Sequence, residues 1–387
     1  MTPDDDLLRQ LVELRRDLHR HPELGWDVAR TAGRVEQALA ACGVATRRIA
    51  ETALVADLPG GADVPSIALR ADLDALPVTE ATGLSFASET PGVMHACGHD
   101  GHTSALVGAA ALLRAVPLPA PVRLIFQPAE ETAEGARTLI AHGVLDGVGR
   151  IFGLHLDVAL PVGTVAAPDG PVNASTDEFA LVLTASGGHA ARPHETADTV
   201  VAAGFLLTAL QAIVARRVPP GEPAVVSVGR IVGGTASNVL ADSVRLEGTI
   251  RAATPQVRSL VRHALEETAS GSAAVHGVAV DISFKSGTPP VLNEPVVAEL
   301  ARRAAGAVVG TDGVRTGPLH NMGGEDFGFY LERVPGSVVR IGARIADGLT
   351  RQAHSGRFDF DERAIGIAAA YYARVAIEAG EALATTD

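Results

Sequence analysis

The stretch Met94–Thr103 holds a thiol, three imidazoles and a carboxylate within ten residues. Cys97 and His99 are two positions apart, so in an extended segment they project to the same side. A thiolate beside a neutral imidazole suits Zn²⁺, and also Ni²⁺ or Mn²⁺. A helix is predicted to follow, with Thr103 or Ser104 as its N-cap. On its own such a stretch is more often a loop with a buried thiol, so a metal site requires further ligands elsewhere.

Pairs of carboxylates follow two predicted strands. Asp72 and Asp74 are two positions apart at the end of one strand, and Glu130 and Glu131 follow the next. In open α/β sheets, binding sites gather at the carboxyl ends of the strands. In an adjacent glutamate pair, one carboxylate can bind a metal while the other accepts a proton from metal-activated water. Turn-forming aspartates and a solvated pair at a helix start are the alternatives.

A histidine follows a further predicted strand. The segment from Arg150 to Leu154 is predicted to be a strand, and His155 comes directly after it. Taken alone, a histidine in this position is typically a core residue whose ring nitrogens are hydrogen-bonded within the protein. Together with the thiol and the paired carboxylates, it becomes another candidate ligand.

Length and composition narrow the class of protein. The 387 residues are 47% apolar, enough for two domains with separate cores. No window has the 18 uninterrupted apolar residues of a membrane span, and the acidic first residues do not resemble a signal peptide. The two cysteines, Cys42 and Cys97, offer no disulfide framework, so we expect a cytoplasmic protein. A net charge of -13 disfavours binding to nucleic acid.

The rhythm of the predicted elements changes near residue 175. Between 177 and 284 the order is β-α-β-β-α-β, the ferredoxin-like plan. We therefore predict an inserted domain at 176–289. The flanking segments 1–175 and 290–387 are predicted to form one α/β domain.

Seven motifs together resemble the M20 metallopeptidase family. Their form is that of its amidohydrolase branch, which includes hippurate hydrolases, N-acyl-amino-acid amidohydrolases and auxin-conjugate hydrolases. The motifs occur in the expected order over nearly the whole chain. They lie at 70–77, 94–103, 126–131, 153–155, 187–198, 323–327 and around His354.

The resemblance implies a hydrolase with two divalent metal ions per subunit, Mn, Zn or Ni. It also implies a zinc-peptidase-like α/β catalytic domain with an inserted ferredoxin-like lid or dimerisation domain. By motif, Glu130 is the general base. Because other branches have a His-x-Asp motif where this chain has Asp72 and Asp74, Asp74 is expected to orient a ligand and Asp72 is not expected to bind metal. The implied metal ligands are Cys97, His99, Glu131, His155 and His354.

The resemblance also assigns substrate-binding residues within the inserted domain. His189 matches the lid histidine that reaches the site of a neighbouring subunit. Asn238 and Arg251 match the substrate-binding pair, and the guanidinium of Arg251 can bind a carboxylate through two hydrogen bonds. A turn histidine and a surface arginine are the alternatives. If these residues act in trans, the enzyme is at least a homodimer.

Two positions depart from the family pattern. Gly356 stands where many relatives have proline after the ligand His354 and Ser355. Glu134 stands in a stretch that is usually rich in glycine. Neither change removes a chemically required group.

The favoured interpretation is a metal-dependent amidohydrolase that acts on N-acyl amino acids or related small amides, with no nucleic-acid or membrane partner. An aminopeptidase or dipeptidase is the first alternative, because a free amine in place of the acyl cap changes only the pocket. A catalytically silent metal-binding scaffold is the second. The Glu130–Glu131 pair argues against a scaffold, which needs no free base beside a ligand.

Overall fold

The computed structural model describes residues 1–317 and 321–385 and divides the chain into two compact units. The first unit contains residues 1–170, 292–317 and 326–385, and the second contains 171–291 and 321–325. Each unit has its own cluster of buried apolar side chains. The two-domain α/β fold class predicted from the sequence is confirmed.

The first 166 residues form the helices and strands of the first part of the first unit. Leu11, Leu14 and Leu18 form the buried stripe of the first helix, and Asp4 caps it by accepting from the Leu7 amide. The elements are α1 (Asp5–Arg20), α2 (Ala29–Ala41), β1 (Arg47–Ile49), β2 (Ala53–Leu58), β3 (Ser66–Asp72), α3 (His99–Arg114), β4 (Val122–Gln127), α4 (Gly135–Ala141), β5 (Val148–Pro161) and β6 (Val165–Ala166).

The second unit follows, with two long helices between its strands. Asp198 caps the first long helix by accepting from the amides of Val200 and Val201. The elements are β7 (Gly170–Asn173), β8 (Ser175–Thr184), β9 (Gly188–His189), a 3-10 turn (Pro193–Glu195), α5 (Thr199–Arg217), β10 (Ala224–Gly233), β11 (Val239–Leu240), β12 (Ser243–Ala252), α6 (Pro255–His276) and β13 (Ala279–Ser286).

The remainder of the chain completes the first unit. Its last helix is apolar on most sides because it is buried against the large core. The elements are β14 (Val291–Asn293), α7 (Pro295–Val309), a 3-10 turn (Thr311–Gly313), β15 (Val314–Arg315), α8 (Gly328–Leu331), β16 (Gly336–Arg344) and α9 (Arg363–Ala384).

The first unit is built on an eight-stranded mixed sheet. Its strand order is β1-β2-β4-β3-β5-β16-β6-β15. The central strands β4, β3, β5 and β16 run parallel to one another. Their carboxyl ends therefore meet at the same edge of the sheet, where Asp74 follows β3 and Glu130 and Glu131 follow β4.

The second unit has a four-stranded antiparallel sheet of order β10-β12-β8-β13. Alternate residues of β8 (Phe179, Leu181 and Leu183) are buried with apolar side chains of α5 and α6. Within the described part of the chain, one helix, α5, is long and apolar enough to cross a membrane. In its most apolar window, 33% is buried. Core helices satisfy the same length and composition test.

Three element boundaries differ from the predictions. Helix α3 begins at His99, earlier than the Thr103 or Ser104 N-cap predicted, so Cys97 and His99 do not lie on one extended segment. Strand β5 continues to Pro161, so His155 lies within the strand instead of after it. The sequence pattern predicts that the helix beginning at Pro255 ends at Thr268, but α6 extends to His276 because Ala269 and Ala273 are buried in the core, which outweighs the weak helix propensity of its glycine and serines.

Candidate metal centre

Cys97 and His99 flank the start of α3. Gly98 between them is the N-cap and has a φ of 93°, a left-handed conformation that glycine adopts without steric cost. This turn lets both side chains belong to one site although the chain changes direction between them. The two residues are buried, at 9% and 1% exposure.

A hydrogen bond to the backbone orients the imidazole ring of His99. Its Nδ1 lies 2.8 Å from the backbone carbonyl of Asp74. Because a carbonyl oxygen only accepts, Nδ1 carries the proton and Nε2 keeps its lone pair. That Nε2 lies 3.8 Å from Oε1 of Glu131 and 4.0 Å from Oε2 of Glu130.

His155 is oriented in the same manner. Its Nδ1 lies 2.7 Å from the carbonyl of Leu156, and its Nε2 is 3.3 Å from Sγ of Cys97. Burial lowers the pKa of His155 well below its usual value, and the positive charge of Arg340 acts in the same direction. His155 is therefore neutral, as a metal-binding imidazole must be.

Asp74 fixes the turn that carries the two glutamates. Its two carboxylate oxygens accept from the amides of Glu130 and Glu131, at 3.0 and 3.1 Å. Ala129, just before them, has a positive φ of 59°, so the turn is held in an uncommon conformation. Burial raises the pKa of Asp74 to about 7, against the lowering effect of these two amides.

His354 lies on a loop and is 57% exposed. Its amide donates to the carbonyl of Ala96 at 2.7 Å, and its Nε2 lies 3.7 Å from Oε2 of Glu131. Its φ is 64°, which is unusual for a residue with a side chain. Two residues on, a Cβ added to Gly356 would lie 2.3 Å from the carbonyl oxygen of Thr79, which explains why this chain has glycine there.

The candidate ligands form overlapping groups. In each group the donor atoms lie within 4.8 Å of one another. Three groups consist only of residues predicted from the sequence: Cys97, His99 and His155; Cys97, Glu131 and His354; and His99, Glu130 and Glu131. His99 belongs to a further group with Asp72 and His102.

These donors fit divalent metal ions. Thiolate, imidazole and carboxylate are the ligands that Zn²⁺ and its neighbours prefer. The Nδ1–H bonds from His99 and His155 to backbone carbonyls point both Nε2 lone pairs into the centre, and such hydrogen bonds orient histidines that bind metal. The structure thus brings together Glu130 and all five residues that the resemblance gave as ligands.

Asp72 lies beside the candidate centre, with its Oδ2 3.7 Å from Nε2 of His99, and it also has two further partners. Its Oδ2 accepts from Arg70 at 2.7 Å, and its Oδ1 lies 2.7 Å from Nδ1 of His102. Nε2 of His102 accepts from the amide of Leu156 at 2.9 Å. Sequence reasoning gave His102 no separate role, although its position one turn after His99 places both rings on the same face of α3. It also gave none to Arg70 or Asp326, whose ion pair joins residues 256 positions apart.

The predicted substrate-binding residues lie in the second unit. His189 in β9 pairs with Val239 of β11, and the amide of Ala190 donates to the carbonyl of Asn238 at 3.1 Å, so the His189 and Asn238 segments are adjacent. Arg251 lies near the end of β12, and its Nη1 donates to the carbonyl of Ile250 at 3.1 Å.

The chain is similar to several known proteins, among them a deacetylase and a metal-binding peptidase. N-acetylcysteine deacetylase of Bacillus subtilis is 40% identical over 95% of this chain and 96% of its own length. A solved dinuclear metal-binding peptidase of the M20 family from Bacillus subtilis has a TM-score of 0.87 at 36% identity, covering 98% of this chain and 99% of the other. A longer Rhodococcus jostii protein that carries a glutamate–cysteine ligase name is 42% identical over 92% of this chain, which spans 45% of its length.

The family model of peptidases M20/M25/M40 matches residues 68–378, which include every candidate metal ligand. The donor groups and the dinuclear relative together support two divalent metal ions. The resemblance seen in the sequence is thereby confirmed. The chain belongs to peptidase family M20/M25/M40 and is a metal-dependent hydrolase.

Proposed function

We propose that the protein hydrolyses the amide bond of N-acyl amino acids or related small amides. The observation that carries this proposal is the position of Glu130. Its carboxylate lies among the candidate ligands, within 4.8 Å of His99 and Glu131 donor atoms, while its amide is held by Asp74. A carboxylate kept beside a metal centre in this way is suited to accept and return a proton.

The roles of the other residues follow from their contacts. Cys97, His99, Glu131, His155 and His354 would hold two divalent ions, and Asp74 would orient His99 and the glutamate turn. Bound metal would supply Lewis-acid activation of water and of the amide carbonyl. Glu130 accepts a proton from the water that attacks the amide carbonyl carbon, and it then donates this proton to the leaving amine as the C–N bond breaks. The mixed thiolate, imidazole and carboxylate donors are compatible with Mn, Zn or Ni.

The substrate class is inferred from a similar deacetylase and from the net charge of the chain. The chain is 40% identical to an N-acetylcysteine deacetylase and carries a net charge of -13. An overall negative field repels an amino-acid carboxylate, so a specific cation must bind it. We assign this role to Arg251, with Asn238 and His189 as further substrate contacts.

We also propose roles for the two parts of the chain. Residues 1–175 and 290–387 form the catalytic domain, and 176–289 form a lid and dimerisation domain. In that arrangement a homodimer or higher homo-oligomer would place the inserted residues at a neighbouring subunit's site. A thiolate ligand is best preserved in a reducing compartment, which favours the cytoplasm.

A substrate panel tests this proposal. Metal-loaded protein should release amine from N-acetyl, N-benzoyl or indole-acyl amino acids at least tenfold faster than it cleaves unblocked dipeptides. Faster cleavage of the dipeptides would indicate a dipeptidase or aminopeptidase. No cleavage of either class by fully metal-loaded protein would indicate a metal-binding scaffold.

A further inference from the structure

The guanidinium of Arg70 contacts three side chains next to the candidate metal centre. Its Nη1 donates to Oδ2 of Asp72 at 2.7 Å, and its Nη2 donates to Oδ1 of Asp326 at 2.6 Å. Its Nε donates to Oε1 of Gln127 at 2.9 Å. All four residues are at most 2% exposed. One cation therefore serves two buried carboxylates, each on a different segment of the chain.

Asp326 connects Arg70 to the general base. Its Oδ2 accepts from Nε2 of Gln127 at 2.7 Å and from the amide of Ala136 at 2.8 Å. Its own amide donates to Oε1 of Glu130 at 3.3 Å. Because its carboxylate is held by a charge and two further donors, Asp326 presents that amide to Glu130 at a fixed position.

Asp72 connects Arg70 to the ligand-bearing elements. Its Oδ1 lies 2.7 Å from Nδ1 of His102, and its carbonyl accepts from Oγ1 of Thr103 at 2.6 Å. Both partners lie in the first turns of α3, the helix that begins with His99. Nε2 of His102 in turn accepts from the amide of Leu156, the residue after His155.

We propose that Arg70 is a positioning residue that keeps the general base and the ligand-bearing helix in one fixed arrangement. It thereby sets the affinity of the centre for divalent metal and the rate of the hydrolytic step. The part concerning rate rests on the function proposed above, whereas the part concerning metal affinity does not depend on any substrate.

The geometry requires an arginine. Three nitrogens of one planar group reach three different acceptors, whereas the single ammonium of lysine cannot span Asp72, Asp326 and Gln127 together. A lysine would stay with one carboxylate and leave the other buried without its cation. The glutamate turn and α3 would then lose their common anchor. Residues that orient metal ligands typically change metal affinity or activity by about 10–100-fold when replaced.

The experiment compares Arg70→Lys, Arg70→Met and Asp326→Asn with wild type. Metal-stripped protein is titrated with Mn²⁺ by calorimetry, and kcat and KM are measured at saturating Mn²⁺. Arg258→Lys is the matched control, because Arg258 makes a bidentate pair with the buried carboxylate of Asp177 in the second unit, at 2.7 and 2.8 Å. Thermal unfolding of every variant reports stability.

The expected result is a dissociation constant for Mn²⁺ that rises about 10–100-fold in Arg70→Lys and further in Arg70→Met. At saturating Mn²⁺, kcat should fall at least tenfold in Arg70→Lys while KM stays within about threefold of wild type. Arg258→Lys should lower the unfolding temperature without changing either quantity. If Arg70→Met does not fold, Arg70→Lys and Asp326→Asn decide the outcome.

Two results would overturn the proposal. One is Mn²⁺ affinity and kcat within about threefold of wild type in both Arg70→Lys and Asp326→Asn. The other is an equal loss of Mn²⁺ affinity in Arg258→Lys, because Arg70 would then contribute only general stability. A metal-loaded wild type without amidohydrolase activity would refute the proposed function alone, since Mn²⁺ affinity is measured without substrate.

Discussion

The sulfur of Cys97 lies 3.3 Å from Nε2 of His155, although the two residues are 58 positions apart in the chain. One precedes the first turn of α3 and the other lies inside β5. Since Nδ1 of His155 is engaged with a backbone carbonyl, its Nε2 and the thiol face each other as two donors for one ion.

Replacement of Cys97 by alanine should remove metal and activity together. The thiolate is one of three donors in each of two overlapping groups, so its loss weakens both. Metal content per chain and hydrolysis of an N-acyl amino acid are measured side by side. Cys42→Ala is the control, because Cys42 is the other free cysteine and lies in none of these groups. Full metal content in Cys97→Ala would exclude Cys97 as a ligand.

Glu130→Gln should lower kcat by about 10²–10⁴-fold and leave metal content unchanged. The amide is isosteric and keeps an acceptor for the Asp326 backbone, but it cannot take a proton. Glu134→Gln is the matched control in the same turn, where Glu134 accepts from the indole of Trp26. Activity of Glu130→Gln within about threefold of wild type would show that another group is the base.

Arg251→Lys should raise KM for an N-acyl amino acid by about 10–100-fold, since a charge-assisted hydrogen bond contributes about 1.5–3 kcal/mol. The corresponding amide or methyl ester lacks the carboxylate and should be much less affected. Arg245→Lys on the same strand is the control, because Arg245 pairs with Glu247. Equal losses on charged and uncharged substrates would mean that Arg251 supports the inserted unit instead of the substrate.

The sequence indicated the candidate ligands better than it predicted the geometry that holds them. Residue types and the family resemblance named Glu130 and the five candidate ligands whose donor atoms lie close together, because thiol, imidazole and paired carboxylates are chemically distinctive. The predicted start of α3 was wrong, because residues 99–102 include poor helix formers and the helix was therefore expected to begin after them. Tertiary contacts of the buried Asp100 with Arg15 and His19 stabilise that first turn instead.

The connections of Arg70 were beyond sequence reasoning for a different reason. Its partner Asp326 is 256 positions away, and neither residue belongs to a pattern of hydrophobic periodicity. Only the folded chain shows that Arg70 and Asp326 meet. Long-range ion pairs of this kind leave no local signal in a single sequence.

Stability should depend on pH through His19. Burial alone lowers the pKa of His19, but hydrogen bonds with Asp100 and Glu80 outweigh it and raise the pKa to about 9. A pKa raised in the folded state stabilises the protein below the ordinary value of 6.5, and this contribution is lost as pH rises through 9. The shift corresponds to at most roughly 3 kcal/mol.

Urea unfolding of metal-stripped protein between about pH 6 and 9.5 measures this effect. Wild type should lose unfolding free energy across this range, and His19→Gln should show a much flatter profile. His263→Gln, which removes a 68% exposed histidine from α6, should retain the wild-type slope. Parallel profiles for wild type and His19→Gln would exclude a charged His19 as the cause.

Metal reconstitution of the stripped protein tests the account most directly. Mn²⁺ or Zn²⁺ is added in measured equivalents, and hydrolysis of an N-acyl amino acid is followed together with bound metal. Two ions per chain are expected, with activity absent in the stripped protein and restored as the centre fills. Full activity in protein shown to contain no metal, or saturation without any activity, would contradict a two-metal amidohydrolase.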